Sequence, residues 1–215
     1  MVYFSVTIKT NNMKQIAFYI SILLLTVVSS CSSDDSVTDQ QQIKLSQTEI
    51  DDLKILREEE KLARDVYLYS FDKYGENIFK NISQSEQKHM DKILVLLNTY
   101  QLDDPALSIR GEFTSQVLQK LYNDLTKQSD ISYLEALKVG ATIEDLDIND
   151  IDDFEKRTTR ADILDAYDKL KCGSRNHMRS YYSQLISNGT TYESQFISLS
   201  ELTDIINSQN EKCGK

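Results

Sequence analysis

The chain has no tryptophan, one proline and six glycines in 215 residues. So few breakers argue against a turn-rich β-fold. The abundance of Leu, Ile, Lys, Glu and Gln favours long helices instead. Positive charge is also scarce: the formal net charge is −10. A nucleic-acid binder would present a basic face, so that class is excluded. The acidity suits a soluble protein, or one with affinity for cations. None of the three cysteines sits in a C-x-x-C or zinc-ligand pair. The apolar run Ile16 to Val28 is too short to be read as a membrane-spanning helix. The length suits one domain of ordinary size plus a tail.

Lys14 precedes that run, which ends in Val28-Ser29-Ser30-Cys31. The quartet resembles a bacterial lipobox, in which Cys31 becomes the lipidated first residue after cleavage. Residues 1–30 are therefore expected to be a lipoprotein-type signal peptide, with Met13 a candidate start. A plain signal peptide or a short anchor is the alternative. Ser32-Ser33-Asp34-Asp35-Ser36 resembles the acidic tether of surface-exposed lipoproteins in Bacteroidetes-like bacteria. Residues 31–45 read as a flexible tether. The expected location is the cell envelope, with the protein held to the outer membrane through a lipid on Cys31. Export would place Cys172 and Cys213 in an oxidising compartment. They could pair, tying the tail (residues 209–215) to the last long helix, or remain as one buried and one exposed thiol.

The rest of the chain, residues 46–208, reads as helices. A capping box at Ser46 and Glu49 starts a helix over 47–74, and Gly75 fits its stop. Its inward stripe is Leu53, Leu56, Glu60, Ala63, Tyr67 and Tyr74. A second helix is expected over 83–100, with Ile82, Glu86, His89, Ile93 and Leu96 inward. The short join predicts an antiparallel hairpin. Pro105 and Gly111 mark a loop, and a shorter helix over 115–128 belongs to a long crossover. A third long helix over 132–156 turns Leu137, Ala141, Glu144 and Ile148 inward. A fourth over 160–187 turns Ile163, Tyr167, Leu170, Ser174, His177 and Tyr181 inward. A last short helix is expected over 200–208, capped by Ser200. Hairpin, long crossover and hairpin make an all-α protein with the ferritin-like four-helix bundle arrangement.

Five residues on these core stripes should avoid an apolar interior: Glu60, Glu86, His89, Glu144 and His177. An unpaired buried carboxylate costs several kcal/mol, on the order of 3–5 for a broken pair. A metal ion offsets that cost when acids and histidines converge. Glu86 and His89 are three apart and share a helix face. Asp147 lies one turn beyond Glu144 and supplies a fourth acid. Ser174 stands where a symmetric site would place another Glu. Oxygen and imidazole donors suit iron or manganese, with zinc a weaker match. The alternative is a bundle whose inward polar groups simply hydrogen-bond to one another. Glu58 and Glu59 are expected to be solvated, with Glu59 a reserve ligand. Tyr67 and Tyr181 read as core tyrosines near the site, with redox activity or hydrogen bonding to its ligands the alternative. The acidic run 145–153 lacks the glycine and terminal Glu of an EF-hand loop.

Glu60-Lys-Leu-Ala63-Arg64-Asp-Val-Tyr67 resembles the E-x-x-A-R-x-x-Y first-helix motif of rubrerythrin-like ferritins. Glu86-Gln-Lys-His89 is similar to their second-helix E-x-x-H, and Glu144-Asp-Leu-Asp147 to their two-acid third-helix motif. The chain resembles most closely a ferritin-like family known as domain of unknown function 2202, over about Ser46 to Ile206. The phrases Leu56 to Tyr67, Ser85 to Met90, Gly140 to Ile148 and Gly173 to Arg179 carry this likeness. The resemblance implies the bundle and a two-metal centre, but no settled activity. Two functions are expected to compete. One is an exported di-iron or iron–manganese oxidoreductase acting on oxygen or peroxide. Lacking a rubredoxin-like cysteine set, it would need an external electron donor. The other is a surface lipoprotein that binds metal or a partner without turnover.

Overall fold

The computed structural model describes residues 44–214. The expected signal peptide, Cys31 and residues 31–43 of the expected tether lie outside the described residues. Six helices follow in order: α1 (Gln47–Tyr74), α2 (Asn77–Thr99), α3 (Gln116–Ser129), α4 (Tyr133–Glu155), α5 (Ala161–Ser187) and α6 (Leu199–Asn207). There is no strand among the described residues. None of these helices is long and apolar enough to cross a membrane.

The helix ends have local causes. The Ser46 hydroxyl accepts from the Glu49 N–H, and the Glu49 carboxylate accepts from the Ser46 N–H at 2.8 Å. Gly75 ends α1 at φ +71°, a left-handed conformation that side chains resist. Only Gly75 and Glu76 separate α1 from α2, so the chain doubles back at once.

The start of α2 and the cap of α6 differ from the sequence reading. α2 begins at Asn77, six residues before the expected Ser83. Ser83 does not cap; its hydroxyl donates to Lys80 O inside the helix, at 2.8 Å. Burial of Phe79 and Ile82 draws the helix back past Ser83. α6 is capped by Ser198, whose hydroxyl accepts from Glu201 N, and not by Ser200.

Two apolar clusters fill the interior, and their order along each long helix gives the topology. On α1 and α5 the chain passes from the cluster around Leu53, Ile93 and Tyr167 to the one around Val66, Phe79 and Tyr181. On α2 and α4 it passes the other way. So α1 and α5 run in one direction and α2 and α4 in the other. Helix α1 packs on α2 and α4, and α5 packs on α4, α2 and α6. The 33 residues between Thr99 and Tyr133, containing α3, carry the chain back so that α4 can run parallel to α2.

Charged side chains of α1 hold this crossover down. Glu58 is buried, contrary to the solvated position expected for it. Its carboxylate accepts from Thr114 N at 2.7 Å and Ser115 N at 3.2 Å, so backbone donors replace water. Lys61 and Asp65 are fully buried as a pair, Nζ to Oδ2 at 2.6 Å. Lys61 also donates to Ile109 O, and Asp65 accepts from Gly111 N.

Asp145 does the same for the segment after α5. It accepts from the Tyr192 hydroxyl and from the backbone N–H groups of Gln195, Phe196 and Ile197.

Cys172 and Cys213 are joined by a disulfide. It ties the tail to α5, and Glu211 adds ion pairs to Arg175 and Arg179. The Arg175 hydrogen bond outweighs partial burial and, with Arg179, holds the Glu211 carboxyl down to about 2. The folded value is depressed, so this contribution is present above the ordinary value near 4.5 and disappears as pH falls through about 2. With the disulfide reduced, tail amides are expected to stay protected from exchange at pH 6 and to lose protection between about pH 4 and pH 2. Hydrogen exchange across that range checks it.

Candidate metal centre

The polar groups lie on all four long helices, where one apolar cluster gives way to the other. Glu60 comes from α1, Glu86 and His89 from α2, Glu144 and Asp147 from α4, and Ser174 and His177 from α5. The earlier start of α2 puts Glu86 and His89 in mid-helix, level with Glu60. Glu60, Glu86 and Glu144 are each 1% exposed.

These side chains form two three-residue groups that could each hold a metal ion: Glu60, Glu86 and His89, and Glu86, Glu144 and His177. Glu86 belongs to both. Its Oε2 lies 2.7 Å from His89 Nδ1 and its Oε1 2.8 Å from His177 Nδ1. Glu60 Oε2 is 3.2 Å from His89 Nδ1, and Glu144 Oε2 is 3.4 Å from His177 Nδ1. The two imidazoles stack with centroids 5.6 Å apart.

Asp147 stays outside both groups. Its carboxylate accepts from the Ser174 hydroxyl, which takes the place of the missing Glu. Glu59, the expected reserve ligand, also stays outside, with Oε2 buried and lacking a hydrogen bond.

The electrostatics are those of an anion cluster in need of cations. Burial pushes the Glu60 carboxyl up to about 7 against the pull of His89. Burial, then Glu60 and Glu144, push Asp147 well above the usual carboxylate range. Burial opposes ionisation of Glu86, but the two imidazoles overcome it and hold its carboxyl well down. Burial lowers His177, yet Glu86 and Glu144 carry it up to about 10. Among the described residues, no lysine or arginine forms an ion pair with Glu60, Glu86, Glu144 or Asp147.

Glu60 Oε1, Glu86 Oε1 and His177 Nδ1 are buried without an aligned hydrogen bond. Unpartnered oxygen and nitrogen atoms within two converging donor groups fit a divalent cation better than a closed hydrogen-bond network. Two carboxylate–imidazole groups with a shared Glu suit iron or manganese donor chemistry.

Surrounding residues set the positions of the donors. The Tyr67 hydroxyl donates to Glu144 Oε1 at 2.5 Å, fixing that carboxylate. Tyr67 is therefore a partner of the site and not core filling alone. Its E-x-x-A-R-x-x-Y spacing was the signal available for that.

Gly173 lies where a Cβ would meet His89 Nε2 at 2.5 Å. Gly173→Ala gains about 1 kcal/mol of helix propensity but meets an overpacking cost of about 1–3 kcal/mol. The expected result is a lower melting temperature together with reduced metal retention, because His89 must turn away from Glu60 and Glu86. Melting curves and elemental analysis on the same preparation check both.

The fold and the site thus define an all-helical protein with two adjoining buried Glu/His groups able to hold metal. The chain matches the family described as "Uncharacterized protein domain (DUF2202)" over residues 49–209, and it belongs to that family. It is 45% identical over 169 residues to the uncharacterized protein MJ0754 of Methanocaldococcus jannaschii, covering 78% of this chain and 91% of that one. The crystal structure of that hypothetical protein superposes with a TM-score of 0.77 at 42% identity, over 85% of this chain and 100% of the other.

Proposed function

We propose that this protein is a ferritin-like two-metal oxidoreductase that acts on oxygen or peroxide. The observation that carries the reading is Glu86, one carboxylate shared between two Glu/His groups from opposite hairpins. The direction of the four long helices supports the ferritin-like part, because a crossover that makes α2 and α4 parallel is the long connection of such bundles. Iron or manganese, when bound, would supply electrons to the oxidant. Glu60 and Glu144 would be the outer carboxylates, Glu86 the bridge, and His89 and His177 the nitrogen donors. Asp147, held by Ser174, would stand beside them as a further carboxyl. The electron donor would come from outside the chain. The lipobox-like Cys31 supports export and anchoring of the chain at the cell envelope.

A second reading rests on Ser174. A hydroxyl where a symmetric site would have a carboxylate favours metal retention without turnover, in a surface lipoprotein that binds metal or a partner. One experiment separates the two. Protein purified without chelators and loaded anaerobically with ferrous ion should hold about two ions per chain and change its absorbance on addition of peroxide. Bound iron with no spectral response would favour the second reading. Substoichiometric iron without any response would end the first.

A further inference from the structure

The two imidazoles are the open side of the site. Their side chains are 11% and 10% exposed, against 1–2% for Glu60, Glu86 and Glu144. Both line a pocket of about 420 Å³ between α2, α5 and the C-terminal tail. Gly173 in its lining lets the His89 ring approach closely, since a Cβ there would overlap Nε2.

The remaining wall is basic in a chain of net charge −10. Lys88 and Lys92 come from α2 and Lys169 from α5. Like charges four residues apart on one helix cost a few tenths of a kcal/mol, about 0.2–0.5, so Lys88 and Lys92 do not serve the helix. Glu211 is engaged by Arg175 and Arg179, and Asp165 offsets Lys169, its partner at 2.6 Å; among the described residues Lys88 and Lys92 form no ion pair. The tail wall is fixed in place by the Cys172–Cys213 disulfide and by Asn176, which donates to Glu211 O and accepts from Glu211 N.

The geometry points to this pocket as the ligand-access site of the metal centre, built to take a small anion against the outer edges of His89 and His177. The metal centre itself rests on the functional reading above; the anion pocket is measurable with or without metal. Lysines converging on a concave site concentrate an anion that the rest of the surface repels.

Azide is a suitable probe, because its infrared stretch reports the bound environment. It is titrated into the full chain in metal-free and metal-loaded forms, with affinity taken from calorimetry. Lys88→Gln, Lys92→Gln and Lys169→Gln together should weaken azide about tenfold or more in both forms, with metal content unchanged. Cys213→Ser should also weaken it, through loss of the tail wall, with the melting temperature confirming a folded chain. Azide affinity equal in the native and triple-lysine proteins overturns the proposal, as does absence of azide binding. A chain that retains no metal but binds azide in a lysine-dependent way upholds the pocket and refutes the metal reading. Metal retained with lysine-independent azide binding does the reverse.

Discussion

Glu86→Ala is expected to empty both metal positions at once. No other single ligand change should do so. Glu86 is the only residue common to the two groups, with one oxygen turned to each imidazole at 2.7 and 2.8 Å. Without it each group falls to one carboxylate and one histidine, too few to hold a divalent ion against water. Losing a group that merely orients a ligand typically costs 10–100-fold in affinity, so loss of a shared ligand should exceed about 100-fold at both positions. Glu60→Ala reaches only the His89 group and Glu144→Ala only the His177 group. Each should leave about half of the metal in place. Elemental analysis of the three variants, prepared alike, tests the ordering. Equal metal in Glu86→Ala and Glu60→Ala would show that Glu86 is not shared.

The largest loss of stability is expected from Asp65→Ala, away from the site. Lys61 and Asp65 have no solvent exposure, and the Lys61 ammonium is held by Asp65, by Ile109 O and by the face of the Phe113 ring, so Asp65 is its counter-charge. Removing the carboxylate leaves a buried cation without its counter-charge, which costs about 3–5 kcal/mol. It also strands Gly111 N–H and leaves Arg64 with Gln87 as its remaining partner. For a domain of this size 1 kcal/mol corresponds to about 2–4 °C, so the melting temperature should fall by roughly 10 °C. Lys61→Met combined with Asp65→Leu should recover most of that, because no charge is then left buried. Melting curves of the single and double variants decide it. A double variant no better than Asp65→Ala would mean that the hydrogen bonds to the crossover loop, and not the ion pair, carry the stability.

These two residues differ in how visible they are in the sequence. Glu86 interrupts an apolar stripe and stands three residues before a histidine, so periodicity alone marks it. Lys61 and Asp65 read as ordinary helix charges, four apart, and only the loop folded over them makes them interior. Glu58 and Asp145 are alike in this. Their carboxylates are buried because backbone N–H groups far along the chain need acceptors, and no local pattern announces such a need. The misplaced start of α2 has a related cause. The apolar stripe expected from the sequence begins at Ile82, but Phe79 and Ile82 pack into the interior and draw the helix further back.

The sequence by itself determined that the chain is helical, where α1 ends, and that acids and imidazoles face inward on four stripes. Those are properties of breakers, caps and a 3.6-residue period, all of which act within a few residues. Tertiary structure alone decided that Glu86 sits between two histidines, that Asp147 turns to Ser174, and that the disulfide-held tail walls a basic pocket over the imidazoles. Each depends on which helix faces which and at what depth, and that is settled only when packing of the whole interior fixes the register of one helix against the next.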